Sequence, residues 1–157
     1  AVTLRQLEIH GHSATTSGGA IDASSSTILI EDSDLHGNHS DGQGAAIRSQ
    51  ASFLEIRRSS IRGHTDGGVG AEQEALHASG DGSTLVRNST FSGNAGTALR
   101  ILDGDLELGN ASLVGNSRRG VEFERLTGRN LLIRNTVLAA NSLGACSLTG
   151  AGNAGLA

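Results

Sequence analysis

Five of the six histidines fall within the first 64 residues, and two of them open a repeated His-x-Asp unit, His39-Ser40-Asp41 and His64-Thr65-Asp66, 25 residues apart. Neutral imidazole and carboxylate together are the donor set of Zn²⁺ and similar divalent ions, at roughly 2.0 to 2.2 Å per ligand. With His12 in register with His64, the expected metal set is His12, His39, Asp41, His64 and Asp66. Affinity there should weaken as pH falls through about 6.5, because protonation removes the nitrogen lone pair. The plainer reading makes these solvated turn residues. A second chemistry-bearing group is acidic. Glu122 and Glu124 alternate on one segment, and Asp103 and Asp105 flank a short Gly turn. Alternation places Glu122 and Glu124 on one side of a strand, roughly 6 to 7 Å apart, a distance at which two carboxyls can divide acid and base roles in glycoside cleavage. No Lys is present as a base, and no trio of carboxylates recurs at the repeat spacing. Gly67-Gly68-Val69-Gly70 lacks the Lys and Ser/Thr of a phosphate-binding loop and reads as a turn.

These residues are carried by a repeat. Asn88-Ser89-Thr90-Phe91-Ser92-Gly93-Asn94 returns as Asp32 to Asn38, Arg58 to His64, Asn110 to Asn116 and Asn135 to Asn141, with a degenerate copy ending at His12. The anchors Ile9, Leu35, Ile61, Phe91, Leu113 and Leu138 are spaced by 26, 26, 30, 22 and 25 residues, a period that marks a stacked repeat architecture. Five residues before each anchor stands a second apolar column, Leu4, Ile30, Ile56, Val86, Leu108 and Ile133. Farther upstream stands a third, Ile21, Ile47, Leu76, Leu99, Val121 and Cys146, preceded by Ala20, Ala46, Ala75, Ala98, Gly120 and Ala145. The segments are too short for helices and match the two-residue period of strands.

The spacing therefore predicts an all-β right-handed parallel β-helix of about six coils with three short strands each, a single domain over residues 1–157. Asp32, Arg58, Asn88, Asn110 and Asn135 fall at one bend, where Asn tolerates left-handed backbone and can stack its amide on the next coil. Asn38, Asn94, Asn116 and Asn141, with His12 and His64, form a second polar column. Asp22 with Arg48 and Arg100 with Glu122 should meet across adjacent coils, each exposed pair contributing roughly 0.2 to 1 kcal/mol. Variable coil length places the longer turns around residues 65–74, 79–83, 103–105 and 124–130, where a binding groove would lie.

Composition narrows the function. A net charge of −4 over 157 residues, with 12 Arg and no Lys, lacks the basic footprint of a nucleic-acid binder. No apolar run approaches the roughly 18 residues of a membrane helix. Three Phe are the only aromatics, so stacking platforms for sugars are scarce. Cys146 has no cysteine to pair with, and Ala1 opens almost directly onto a strand pattern, which suggests a piece of a longer chain.

The Gly-Gly-Ala-Ile and Ser-x-Leu-x-Gly-Asn repeats resemble the right-handed parallel β-helix repeats of the pectate-lyase-like superfamily, over residues 2–149. They are similar also to β-helical regions of bacterial surface proteins, including the polymorphic outer-membrane type, in which a final repeat is followed by a Cys and a Gly-rich tail, here Cys146 to Asn153. That resemblance implies an extracellular or bacterial cell-surface location, and a pairing of Cys146 with a later cysteine. It also implies a non-catalytic scaffold or adhesion module whose partner is a surface glycan or a protein. The superfamily's polysaccharide lyases and hydrolases supply the alternative, carried here by Glu122, Glu124, Asp103 or Asp105. A metal-binding β-helix is the third. No cofactor beyond a divalent metal is expected, and exposed coil ends predict end-to-end self-association.

Overall fold

The computed structural model describes residues 1–66, 74–124 and 128–150. Every strand pair among them is parallel, and the chain winds as a solenoid. An opening partial turn holds β1 (Val2–Arg5), β2 (Glu8–His10) and β3 (Ser13–Ala14). The first full turn holds β4 (Ile21–Ser24), β5 (Thr27–Glu31), β6 (Asp34–His36) and β7 (His39–Ser40). The second holds β8 (Ile47–Gln50), β9 (Phe53–Arg57), β10 (Ser60–Arg62) and β11 (Thr65–Asp66). In the third and fourth, one long strand replaces two: β12 (Glu74–Arg87) with β13 (Thr90–Ser92), then β14 (Thr97–Gly109) with β15 (Ser112–Val114). The fifth holds β16 (Val121–Glu124), β17 (Leu131–Arg134) and β18 (Val137–Ala139), and β19 (Cys146–Thr149) begins another.

The ladders are thus six strands deep, but both ends are partial, so the helix makes about five full turns rather than six. A ten-stranded sheet forms two sides of the coil, a six-stranded sheet of order β18-β15-β13-β10-β6-β2 forms the third, and β11-β7-β3 is a short ladder beside it. The register matches the columns residue for residue: Ile21↔Ile47↔Leu76↔Leu99↔Val121↔Cys146 on one side. Leu4↔Ile30↔Ile56↔Val86↔Leu108↔Ile133 lie on the next. Ile9↔Leu35↔Ile61↔Phe91↔Leu113↔Leu138 complete the interior. Ile30, Leu35, Ile56, Ile61, Phe91 and Ile101 are wholly buried there, each contributing roughly 1.5 to 3 kcal/mol of transfer free energy.

The bends are set by backbone chirality. The first is turned by Ser25, Ala51, Gly80 and Asp103, the second by Gln6, Asp32, Arg58, Asn88, Asn110 and Asn135, and the third by Gly11, Gly37, Gly63, Gly93, Gly115 and Ala140, all at φ between +47° and +74°. Residues 79–83 and 103–105, expected as turns, lie inside β12 and β14. The two strands pair with each other on both sides of the bend, Ser79↔Leu102 and Gly82↔Gly104, so the backbone stays in the ladder across a register shift. At the small-residue corner, a Cβ on Gly120 would stand 2.7 Å from the Ala145 carbonyl, so this position takes glycine where the rest of the column carries alanine. His77, outward by alternation between Arg48 and Arg100, is only 1% exposed and meets the equally buried Glu74 at 2.9 Å. Among the described residues no helix is long and apolar enough to cross a membrane.

Candidate functional site

Of the five metal candidates, His64 is built into the corner. Asn38 Oδ1 accepts from the His12 amide and its Nδ2 donates to the Ile9 carbonyl. Asn94, Asn116 and Asn141 repeat both bonds one coil further on, with Nδ2 reaching the carbonyls of Ile61, Phe91 and Leu113. At His64, Nδ1 accepts from the Asn38 amide at 3.1 Å and Nε2–H donates to the Leu35 carbonyl at 2.9 Å. The imidazole reproduces the amide's acceptor and donor, so neither nitrogen is left for a metal ion. Burial pushes its pKa down to about 4. His39 and Asp41 do come together, Nε2 to Oδ1 at 3.0 Å, while His39 Nδ1 meets Thr65. His12 is exposed at the start of the column. The side chain of Asp66 lies outside the described residues, although its backbone pairs with Ser40.

Asp103, Asp105 and Glu122 are engaged in lacing between coils. Asp103 accepts from Arg129 Nε at 3.1 Å, and Arg129 also pairs with Asp81. Asp105 accepts from the Asn130 amide at 2.7 Å. Glu122 lies 3.9 Å from Arg100, and Glu124 is exposed two residues on. Asp22 and Arg48 meet at 2.8 Å as their spacing requires. Of the expected groove walls, residues 67–73 and 125–127 lie outside the described residues.

Among the described residues another constellation sits on the outside of β2, β6 and β10 and along the bend that precedes them. An open groove there is lined by Gln6, Glu8, Asp32, Asp34, Arg58 and Asn88, with neighbouring residues of the same coils. Arg58 reaches Asp32 at 2.7 Å and Glu31 at 2.6 Å, and Arg5 reaches Glu31 at 2.6 Å. The Arg58 hydrogen bonds hold both carboxyls below their ordinary range. Burial alone would raise Asp34, but Arg62, bound to both its oxygens, outweighs that and lowers it. Glu8 accepts from His36 Nε2 at 2.9 Å and is lowered chiefly by that bond. The rings of His10 and His36 stack at 4.8 Å, 3° from parallel.

Sequence reasoning aligns the copy ending at His12 with Asp32 to Asn38, which sets His10 at the position of His36, but it did not join Glu8 and Asp34 to them. The signal was the two-residue alternation of β2 and β6, which puts positions 8 and 10, 34 and 36, on one face. It also missed a serine column: Ser33, Ser59 and Ser89 each accept the amide of the preceding coil and donate to a carbonyl two residues back. This column, rather than stacked amides, carries the polar bonding beside the second bend.

A family model described as a right handed beta helix region matches residues 1–154. No curated protein and no solved structure matches the chain.

Proposed function

The chain belongs to the right-handed β-helix family, and from that premise we propose that it is a non-catalytic scaffold of the bacterial surface or secreted space, displaying its charged groove to a glycan or protein partner. The observation that carries this reading is the use made of the carboxylates. Glu31 and Asp32 are clamped by Arg58, Asp34 by Arg62, Asp22 by Arg48, Glu107 by Arg87 and Asp103 by Arg129, each bridge tying one coil to the next. General acid catalysis of glycoside cleavage asks for a carboxyl that keeps its proton near neutral pH. Arg clamps act in the opposite sense, holding Glu31 and Asp32 ionised. They suit a rigid surface that presents fixed charge. The surface placement rests on the likeness of the repeats to bacterial surface proteins.

Glu122 and Glu124, side by side on β16, carry the enzymatic alternative. Incubating the protein with acidic and with neutral polysaccharides, and following new reducing ends and unsaturated products, separates the two. Retention of a glycan without cleavage is the expected result. Turnover that disappears in Glu122→Gln or Glu124→Gln would overturn the scaffold reading.

A further inference from the structure

We propose that Glu8, Asp34 and His36 form a binding site for a divalent transition-metal ion of the Zn²⁺ class on the outer face of the six-stranded sheet. The parallel register of β2 and β6 sets Glu8 against Asp34 and His10 against His36, a block of two carboxylates and two imidazoles on adjacent positions. Farther along the same sheet the corresponding outward positions are Ser60 and Arg62, then Thr90 and Ser92, then Ser112 and Val114. The block is therefore a local feature and not the ordinary dress of this face.

One ligand atom from each of Glu8, Asp34 and His36 lies within 4.8 Å of the other two. Ligands roughly 2.1 Å from a shared ion stand up to about 4.2 Å apart, so small rotations of outward side chains close the set. Mixed imidazole and carboxylate donors favour borderline ions over Ca²⁺ or Mg²⁺, which prefer oxygen alone. Binding through His36 Nε2 replaces its hydrogen bond to Glu8 and leaves the ring proton on Nδ1. His10, stacked on His36, stands beside the site.

Arg62 is the competitor. It holds both oxygens of Asp34, at 3.2 Å and 2.6 Å, and places a positive charge where the ion must come. An exposed pair of this kind contributes little, so an ion with three ligands can displace it. Removing Arg62 should therefore tighten binding, and the need for the His36 imidazole separates this site from a merely sticky acidic surface.

The test is calorimetric titration of the untagged protein with ZnCl₂, checked against a competing chromogenic chelator. One ion per chain is expected, weakened about tenfold or more in His36→Ala and in Glu8→Gln, since even partners outside the coordination sphere cost that much when lost. Arg62→Ala should bind more tightly, and His39→Ala, which removes the other His–Asp contact, should bind as the parent does. Each variant lies on the outer face, and circular dichroism checks that the coils persist. Absence of saturable binding would overturn the assignment. So would binding that survives His36→Ala, or that is lost in His39→Ala instead.

Discussion

An imidazole stands in for an amide at His64, and that exchange has a pH consequence. The neutral Nε2–H tautomer is required, because Nδ1 must accept from the Asn38 amide while Nε2–H donates to Leu35. Protonation would turn two donors toward each other inside a corner that is 1% exposed. With the folded pKa near 4 and the unfolded value near 6.5, the unfolded chain binds the extra proton first as pH falls. The contribution is whole above pH 6.5, declines as pH drops toward about 4, and declines no further below that. Its size is roughly 3 kcal/mol at most. His64→Asn supplies the same acceptor and donor, as Asn38, Asn94, Asn116 and Asn141 do in the same column. Denaturant midpoints measured from pH 7 to pH 4 should fall less steeply in this variant than in the parent. Parallel pH profiles for the two proteins would refute the role given to the ring.

At the scale of the element, each bend depends on a residue that accepts left-handed backbone, and the third bend isolates that dependence. Gly11, Gly37, Gly63, Gly93 and Gly115 turn it, and a Cβ added at any of them would meet nothing within 4 Å. Ala140 occupies the sixth position at φ +52°. A left-handed residue with a Cβ costs roughly 1 to 2 kcal/mol. Ala140→Gly should therefore stabilise by about 1 kcal/mol, less the added entropy of the unfolded chain, and Gly93→Ala should destabilise by a similar amount. Chemical denaturation reads both, and equal stability of Gly93→Ala and the parent would sink the argument. The three apolar columns were legible in the sequence because inward residues alternate and recur at one period, and burial at the centre of a coil tolerates few exceptions. The path of β12 and β14 was not, since Gly80, Gly82 and Asp103 carry turn chemistry while the pairs Ser79↔Leu102 and Gly82↔Gly104 on either side of the shift keep the chain in the sheet. The Glu8, Asp34 and His36 group was half legible: the His column was visible, but Glu8 lies in a degenerate first repeat, and the His-x-Asp units drew attention to turns. His64 fell in a visible column, yet its use as a surrogate amide depends on hydrogen bonds that residue type alone does not specify.

For the whole molecule, the described ladders that bind coil to coil have two end faces, whose strands pair on one side only among the described residues. The six-stranded sheet ends at β2 on one side and β18 on the other, and each inner coil pairs above and below while these pair once. The inward side chains record the difference, with Leu35, Ile61, Phe91 and Leu113 wholly buried and Ile9 and Leu138 at the two ends only half-buried. Val2 and Leu148, inward on terminal strands, are 52% and 37% exposed. Unpaired parallel edges of this kind are templates for another strand. We propose that copies of this 157-residue polypeptide stack head to tail, since that arrangement continues the parallel register from one copy into the next. Sedimentation velocity should then show a weight-average mass that rises with concentration. A head-to-tail contact uses both faces, so an inward charge at one end is enough to block it. Leu138→Lys, whose side chain sits on the last level of the six-stranded sheet, should remain monomeric over the same range. A parent protein that stays monomeric at high concentration would overturn the stacking, as would a Leu138→Lys variant that associates as strongly as the parent.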